Sequence, residues 1–253
     1  MEIVALIPAR MGSSRYPGKP LAALLGKPMI GHVYENVRRN PLLKYTAVAT
    51  CDEEIRRYVE SIGGLAVMTS ARHERASDRC AEALLALEKR HGAPCDIVVM
   101  VQGDEPMTHP NMITEALEPM IEDASIQVAN LRAPISSESE WRDRNCIKVV
   151  CADNGDAVFF SRQAIPSNAV LEGSDRNVWK QVCVIPFRRD FLLRYTQMKP
   201  TPLEIAESVD MLRVLEHGHS VRMIDTRHQT HSVDTPADLE LVSALMASDP
   251  KLP

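Results

Sequence analysis

The alternation of short apolar runs with helical patterns over the first hundred residues constrains the fold more than any other feature. Helical periodicity predicts helices at 29–39 and 77–90, and Asp52 stands at the N-cap position of a further helix between them. The last apolar run, Ile-Val-Val-Met-Val, has no polar alternation, which is typical of a strand covered on both faces. This order predicts an α/β protein with a doubly wound, mainly parallel sheet of Rossmann-like type. The predicted strands are 3–7, 45–50, 65–68 and 96–101.

The pattern changes after about residue 125. Several apolar runs there indicate strands of a second, smaller mixed sheet, followed by two helices with one more strand between them. There is no internal repeat or long linker, so we expect a single domain over 1–253 with two parts, approximately 1–125 and 126–253. The strands of the second part are predicted at 126–133, 146–151, 157–161, 181–187 and 220–225, and the helices at 205–217 and 236–246.

Charge and composition exclude several classes of partner. The formal net charge is −5, whereas nucleic-acid binders usually carry a basic excess, so we expect no nucleic-acid partner. No run reaches the roughly 18 apolar residues of a membrane-spanning helix, and the start of the sequence does not have the pattern of a signal peptide, so we expect no membrane association. The six cysteines form no Cys-x-x-Cys motif, which favours reduced thiols in a cytoplasmic protein.

The loop after the first predicted strand has the composition of an anion site. It reads Ala-Arg-Met-Gly-Ser-Ser-Arg-Tyr-Pro-Gly-Lys-Pro and carries Arg10, Arg15 and Lys19 among small residues. Ligands of open α/β sheets bind beyond the carboxyl ends of the strands, and small residues let backbone N–H groups approach an anion. The loop lacks the Walker A pattern and the Gly-x-Gly-x-x-Gly pattern, which argues against a nucleotide kinase and a Rossmann-type oxidoreductase.

Two acidic residues from distant segments form a candidate magnesium site. Asp104 follows the fourth predicted strand in Gln-Gly-Asp-Glu-Pro, and Asp234 precedes a predicted helix in Val-Asp-Thr-Pro. Mg²⁺ prefers carboxylate oxygens and keeps several waters. Each residue also has a structural interpretation, since Asp104 stands in a common turn sequence and Asp234 at an N-cap position. The two carboxylates form a metal pair only if the fold brings them together.

Eight segments in order closely resemble the 3-deoxy-manno-octulosonate cytidylyltransferases, or CMP-Kdo synthetases. The resemblance covers 7–240 and implies a nucleotidyltransferase-type fold with a CTP-binding part, 1–125, and an acceptor and dimerisation part, 126–253. It further implies Mg²⁺-dependent transfer of CMP from CTP to an anionic acid, release of pyrophosphate, and a homodimer. The segments are IPARMGSSRYPGKPL, GKPMI, VMTS, QGDEP, KVV, FFSRQAIP, LRVLEHG and VDTPADLE.

The resemblance also implies roles for individual residues. Arg10 and Lys19 match the positions that grip the triphosphate, with Ser13 and Arg15 close by, and together with Asp104 they are the candidate catalytic groups. Asp104 and Asp234 match the metal ligands. The segment 73–79, with Ser77 and Arg79, matches a part that reads cytosine, and backbone groups at Pro8 and Ala9 and the side chain of Gln102 could complete that site. The candidate acceptor-binding residues are Arg75, Arg162, Lys180, Gln181, Arg188 and Asp210.

The acceptor part departs from the family pattern. Gln181 stands where the family has histidine, Ile185 where it has tyrosine and Met211 where it has glutamine. Each buried hydroxyl of a polyol acid that lacks a partner costs roughly 1–3 kcal/mol. We therefore expect a small phosphonate-type acid such as phosphonoformate as acceptor, since cytidylyltransferases similar to this family act in phosphonate biosynthesis. Kdo or a related sugar acid is the alternative.

Two further alternatives stay open. A non-catalytic nucleotide-binding regulator could keep this fold, although retention of the triphosphate and metal positions argues against it. Lys148, in the family-like segment Lys-Val-Val, is either an ordinary edge-strand lysine or a functional group.

Overall fold

The computed structural model describes residues 1–13, 15–173 and 176–248. It contains two five-stranded sheets and a two-stranded hairpin. The strands are β1 (Ile3–Ala9), β2 (Ala23–Leu24), β3 (Lys27–Pro28), β4 (Tyr45–Thr50), β5 (Leu65–Met68), β6 (Ile97–Val101), β7 (Ala129–Pro134), β8 (Lys148–Cys151), β9 (Ala157–Ser161), β10 (Trp179–Val182), β11 (Val184–Arg188) and β12 (Arg222–Asp225).

Nine α-helices connect and cover the strands in these ranges, and a 3₁₀ helix lies at Lys19–Leu21. None of the helices that the structure describes combines the length and the apolar character needed to cross a bilayer. The helices are α1 (Met29–Val37), α2 (Glu53–Ser61), α3 (Ala76–His91), α4 (Pro110–Glu122), α5 (Glu138–Arg142), α6 (Arg189–Tyr195), α7 (Pro202–Glu207), α8 (Met211–Glu216) and α9 (Pro236–Ser248).

The first sheet has the strand order β11-β6-β1-β4-β5. β6, β1, β4 and β5 run parallel, and β11 pairs antiparallel with β6. The chain proceeds from β1 outward through β4 and β5 and then returns to the other side of β1 to form β6. The direction of chain progression along the sheet therefore reverses between β1 and β6, and a crevice lies at the carboxyl ends of these two strands.

Helices on both faces of the first sheet explain its uniformly apolar strands. In β1, Ile3, Ala5 and Ile7 pack in one core with side chains of α1, α2 and α4. Val4 and Leu6 point to the opposite face and pack in a second core with α3 and α6. Because each face has its own core, neither set of alternate positions needs polar residues. The predicted doubly wound, mainly parallel sheet is confirmed.

The second sheet has the order β12-β7-β10-β8-β9, with β12 parallel to β7 and the other pairs antiparallel. The prediction of one strand at 181–187 is wrong, because the chain changes sheets at Cys183. β10 belongs to the second sheet and β11 to the first, and the Gln102 N–H donates to the Cys183 carbonyl at 3.1 Å. This crossing sets the second sheet over the carboxyl end of β6.

Several helical segments also differ from expectation, and neither α5 nor α6 was predicted. The predicted helix at 205–217 is two helices, α7 and α8, because Ser208 adopts a left-handed conformation with φ 53° that ends α7. The helix α4 was not predicted, although it begins with the N-cap His109, whose ring accepts from the Asn111 N–H, and a proline in its first turn.

Candidate active site

Two adjoining cavities occupy the crevice. We call the smaller, of about 270 Å³, the first-sheet cavity; it is lined by Pro8, Ala9, Arg10, Ser13, Arg15, Lys19, Pro20, His73, Glu74, Arg75, Ala76, Arg79, Gln102, Gly103, Asp104 and Asp234. The larger, of about 360 Å³, is the inter-sheet cavity. It shares several of these residues and adds Met100, Glu105, Glu140, Asp143, Asn145, Cys146, Ile147, Arg162, Lys180, Gln181, Cys183, Ile185, Ser208, Val209, Asp210, Met211, Thr230, His231, Ser232 and Asp238.

Glycine at position 103 lets the turn after β6 lie against the end of β1. A Cβ on Gly103 would stand 2.9 Å from the Pro8 carbonyl oxygen and 3.1 Å from Cδ1 of Ile30. The first of these separations is closer than real Cβ atoms approach, so a side chain would push the two strand ends apart. The glycine thus keeps Gln102 and Asp104 next to the backbone of Pro8.

Asp104 and Asp234 meet through Lys19. The buried Lys19 Nζ donates to Asp104 Oδ2 and to the Val233 carbonyl, both at 2.7 Å, and lies 3.5 Å from Asp234 Oδ1. The Val233 N–H also donates to the Asp104 carbonyl at 2.9 Å, which fixes the two loops to each other. The structure therefore brings together the two aspartates, 130 positions apart in the chain, that the sequence proposed as a pair.

The charge around this pair suits a divalent cation. Burial, followed by repulsion from Asp104, raises the pKa of Asp234, and Lys19 and Arg15 oppose that shift. Arg15 lies 2.7 Å from Asp234 Oδ1 and also donates to Asn145. The described residues contain no group of three or more metal-ligating side chains. Two carboxylates still match Mg²⁺, which usually takes one or two carboxylates and completes its coordination with waters and substrate phosphates.

The loop after β1 is anchored by an unexpected contact. Asp52 stands at the N-cap position of α2 as predicted, but its side chain makes no capping hydrogen bond. Its Oδ2 accepts instead from the Met11 N–H at 2.8 Å. The exposed Arg10 and the small residue Ser13 flank this anchored point and line the first-sheet cavity.

Of the other predicted nucleotide-binding residues, Pro8, Ala9, Gln102 and Arg79 line the first-sheet cavity. Arg79 is buried, and its guanidinium donates to Thr69 Oγ1 at 2.6 Å and to the His73 carbonyl at 3.3 Å. It therefore also holds the loop between β5 and α3 in place.

Ser77 does not reach either cavity, contrary to expectation. It is fully buried in the first turn of α3. It shares the inward face of that helix with Cys80 and Leu84, which pack in the core of the first sheet. The three- and four-residue spacing of a helix places Ser77 on that face, so its assignment to nucleotide binding is not supported.

Arg75, Arg162, Lys180, Gln181 and Asp210 do line the inter-sheet cavity, and each already has a partner in the protein. Arg75 donates to Asp210 at 2.9 Å, Lys180 to Glu140 Oε1 at 2.5 Å, and Gln181 to Asn130 at 2.6 Å. The Arg162 guanidinium donates to the Glu207 carbonyl at 2.8 Å.

Arg188 is a correction to the predicted acceptor site. Its guanidinium donates to backbone carbonyls of Met120, Asp123 and Ile126 at the end of α4, and the residue lines neither cavity. Helix ends leave carbonyls without intrahelical partners, which explains why a cation lies there.

Besides Asp234, two carboxyl groups in the inter-sheet cavity have raised pKa values. Burial, followed by the nearby Asp104 charge, raises the pKa of Glu105 to about 8, so this group is mostly protonated at neutral pH. Burial also raises the pKa of Asp210, with Arg75 opposing the shift. Glu105 can therefore donate a hydrogen bond at a lower energetic cost than an ordinary exposed carboxyl group, whereas Asp210 accepts one from Arg75.

The structure adds lining residues that sequence reasoning missed. Glu140, Asp143 and Asn145 come from the segment around α5, and Thr230 to Ser232 come from the loop before Asp234. No local motif marks these residues, because they reach the cavity only after the second sheet has packed over the first. Ile185 and Met211 also line the cavity, as the resemblance implied.

Comparison with known proteins identifies the family. The family model described as Cytidylyltransferase matches residues 4–224. The chain belongs to the cytidylyltransferase family. A 3-deoxy-manno-octulosonate cytidylyltransferase of Geobacter metallireducens is 42% identical over 252 residues, with 96% of each chain covered. A protein of the same name from Syntrophus aciditrophicus is 42% identical over 248 residues, with 97% of each chain covered.

Solved structures agree with this membership. A CMP:2-keto-3-deoxy-manno-octonic acid synthetase complexed with CTP has a TM-score of 0.86 and 39% identity, covering 98% of this chain and 99% of that one. A 4-diphosphocytidyl-2C-methyl-D-erythritol synthase has a TM-score of 0.65 at 13% identity, with 97% and 98% covered, and shares the fold alone. The predictions of a cytidylyltransferase enzyme and of the resemblance to CMP-Kdo synthetases are confirmed.

Proposed function

We propose that the chain transfers CMP from CTP to Kdo, giving CMP-Kdo and pyrophosphate. The observation that carries the proposal is the convergence of Lys19, Asp104 and Asp234 where the two cavities meet. A nucleotide bound in the first-sheet cavity would present its α-phosphorus at this junction to an acid bound in the inter-sheet cavity. Relatives at 42% identity that carry the name of the Kdo enzyme support the choice of acceptor.

In the proposed reaction an acceptor oxygen attacks the α-phosphorus and the bond to the β-phosphate breaks. Arg10, Arg15 and Lys19 neutralise the triphosphate and the departing pyrophosphate, which is the main contribution a protein makes to phosphoryl transfer. Backbone groups at Pro8 and Ala9, with Arg79 and Gln102, face the same cavity and offer hydrogen bonds to the cytosine edge.

Asp104 and Asp234 are the residues that would hold Mg²⁺. When bound, the ion supplies positive charge beside the reacting phosphate and favours ionisation of the acceptor hydroxyl. The protein's own contribution is to hold the two carboxylates in register through the Val233–Asp104 backbone contact and to place Lys19 between them.

The inter-sheet cavity supports a sugar acid over the phosphonate that the sequence favoured. Arg75, Arg162 and Lys180 offer positive charge to a carboxylate, and Gln181 and Asp210 offer groups for hydroxyls. Its volume of about 360 Å³ also suits a polyol acid better than a one-carbon phosphonate. Ile185 and Met211 form only part of the wall, so their lack of polar groups does not remove every partner.

A homodimer is part of the proposal. Val158 in β9 is 60% exposed, and Ile205 in α7 is 64% exposed. β9 is an edge strand of the second sheet, in the part of the chain to which the resemblance assigns dimerisation. Light scattering at several protein concentrations tests this state directly.

The function is tested by turnover of purified protein with CTP, MgCl₂ and single acceptors. We expect pyrophosphate release with Kdo and a product with the mass of CMP-Kdo, and little turnover of phosphonoformate. A chelator should stop the reaction and added Mg²⁺ should restore it. Efficient use of phosphonoformate without use of Kdo would contradict the proposed acceptor, and no uptake of CTP in calorimetry would contradict the reaction class.

A further inference from the structure

Lys148 is a fully buried cation whose hydrogen bonds all go to the backbone. Its Nζ donates to the carbonyls of Asp143 and Cys146 at 2.6 Å each and to that of Arg162 at 3.0 Å. An ammonium group has three N–H donors, so these contacts satisfy it completely. None of the hydrogen bonds or ion pairs of Lys148 among the described residues involves a carboxylate, so its charge has no directly bonded counter-ion.

The three carbonyls belong to residues that line the inter-sheet cavity. Asp143 and Cys146 lie in the loop between α5 and β8, and Arg162 follows β9 and also donates to the Arg144 carbonyl of that loop at 3.0 Å. Asn145, in the same loop, accepts from Arg15, which in turn pairs with Asp234. One side chain therefore joins two separate segments of the cavity wall and, through Asn145, reaches the aspartate pair.

We propose that Lys148 is a positioning residue for the acceptor. It fixes the segment 143–146 and Arg162 at the spacing the acid requires, and its buried positive charge attracts the anion into the cavity. A charge that is hydrogen-bonded only to neutral carbonyls acts strongly in a poorly hydrated region, and the nearby carboxylates of Asp143 and Glu207 offset only part of it because neither is bonded to the ammonium. The inference rests on the proposed function, because it assumes that an acid anion occupies the inter-sheet cavity.

If Lys148 had a purely structural role, its replacement would lower stability and change the KM values for both substrates to a similar extent. A positioning role predicts a selective rise in KM for the acceptor, and the variants below distinguish the two cases. Arg188 is a matched control, since its guanidinium also donates to three backbone carbonyls but lies outside both cavities. The variants are Lys148→Met, Lys148→Gln and Arg188→Met. Lys148→Gln removes the charge and keeps two donors, so it gives a folded alternative if Lys148→Met is too unstable to purify.

The measurements are KM for Kdo, KM for CTP, kcat and the melting temperature of each variant. We expect Lys148→Met to raise KM for Kdo roughly 10- to 100-fold while KM for CTP changes less than about twofold. Lys148→Gln should raise KM for Kdo less, because part of the loop contact remains. Arg188→Met should lower the melting temperature and leave both KM values within about twofold of the parent.

Two outcomes overturn the inference. One is an unchanged KM for Kdo in both Lys148 variants, and the other is a parallel rise of both KM values in Lys148→Met and Arg188→Met. Failure of the proposed function is a different result: the parent enzyme would then turn over no Kdo at all, and the inference would fall with it. If the parent is active and only the variants disagree, the proposed function stands.

Discussion

The first-sheet and inter-sheet cavities are built in different ways. The first-sheet cavity takes its charged groups mainly from three short stretches, the loop after β1, the segment 73–79 after β5 and the turn after β6, all of which follow strands of the first sheet. The inter-sheet cavity collects residues from separate segments of both sheets and, apart from the shared Arg10, its arginines and lysine are bonded within the protein. In the first-sheet cavity the carboxylates paired with Arg15 and Lys19 are the candidate Mg²⁺ ligands, whereas in the inter-sheet cavity an anion must compete with Glu140 for Lys180 and with Asp210 for Arg75.

This difference has a consequence for selectivity. Breaking a partly buried ion pair costs energy, and only a ligand that replaces it with contacts of similar quality recovers that cost. The first-sheet cavity should therefore bind a phosphate chain through strong, non-selective attraction. The inter-sheet cavity should reject simple anions and accept an acid whose shape satisfies several groups at once.

The largest expected effect concerns the junction that both cavities share. Asp104→Asn removes one of the two carboxylates beside Lys19 and should lower kcat by about 10³-fold or more, because charge stabilisation at the reacting phosphate is lost. Steady-state pyrophosphate release measures the change. Asp156→Asn is the control, since its carboxylate pairs with Arg222 outside both cavities and kcat should stay near the parent value. Normal kcat in Asp104→Asn would remove Asp104 from the reaction.

The next prediction separates the cavities directly. Arg10→Met should raise KM for CTP roughly 10- to 100-fold and KM for the acceptor much less, because Arg10 lines both cavities but stands in the loop proposed to bind the triphosphate. Lys180→Met should show the reverse pattern, because Lys180 lines the inter-sheet cavity alone. Both constants are obtained by varying one substrate at saturation of the other. Equal changes in both constants for both variants would mean that the cavities do not bind separate substrates.

Sequence reasoning succeeded where local pattern and strand order determine position. The strands at 45–50, 65–68 and 157–161 have the predicted bounds, since each is a short apolar run between turn residues. Asp104 lies at the carboxyl end of β6, as the rule for parallel sheets predicts, whereas only the fold shows that Asp234, which precedes α9, meets it there. The first-sheet cavity was predictable from the same rule.

The inter-sheet cavity was less predictable, because tertiary contacts decide it. Val182 and Val184 are both buried, and nothing local shows that the chain changes sheets at Cys183 between them. Ser208 ends α7 in a left-handed conformation that more often marks glycine, so the break in the predicted helix had no signal. Arg188 was assigned to the acceptor from its charge, whereas the end of α4 holds it elsewhere.

A smaller effect tests whether the Glu140 carboxylate competes with an incoming anion for Lys180. Glu140→Gln keeps the size of the side chain that accepts from Lys180 but removes its charge. Inorganic phosphate should then inhibit competitively against the acceptor roughly fivefold more strongly, which corresponds to a charge contribution of about 1 kcal/mol. The inhibition constant is the measurement. Glu138→Gln, in the same helix and paired only with the exposed Arg142, should leave it unchanged. Equal inhibition constants in the two variants would show that Glu140 does not screen Lys180.

No change in either KM is expected away from both cavities, where an ion pair should govern stability without governing binding. Glu88 in α3 accepts two hydrogen bonds from Arg189 in α6, at 2.7 and 2.8 Å, and these hold the pKa of Glu88 below its usual value. Glu88→Gln should lower the free energy of unfolding by about 1–2 kcal/mol at pH 7 and leave both KM values unchanged. Urea denaturation at several pH values measures this loss of unfolding free energy.

The difference in unfolding free energy between the parent and Glu88→Gln depends on pH with a definite sign. A carboxylate whose pKa is lowered in the folded state contributes stability above its unfolded pKa, near 4.5. This contribution disappears as pH falls through the folded pKa, so the parent and Glu88→Gln should converge in acid. Glu53→Gln, which removes an exposed partner of Arg56 and Arg57, should show no measurable loss at pH 7. A change in either KM for Glu88→Gln would mean that the far edge of the first sheet is coupled to the cavities, and the separation between stability and binding would then fail.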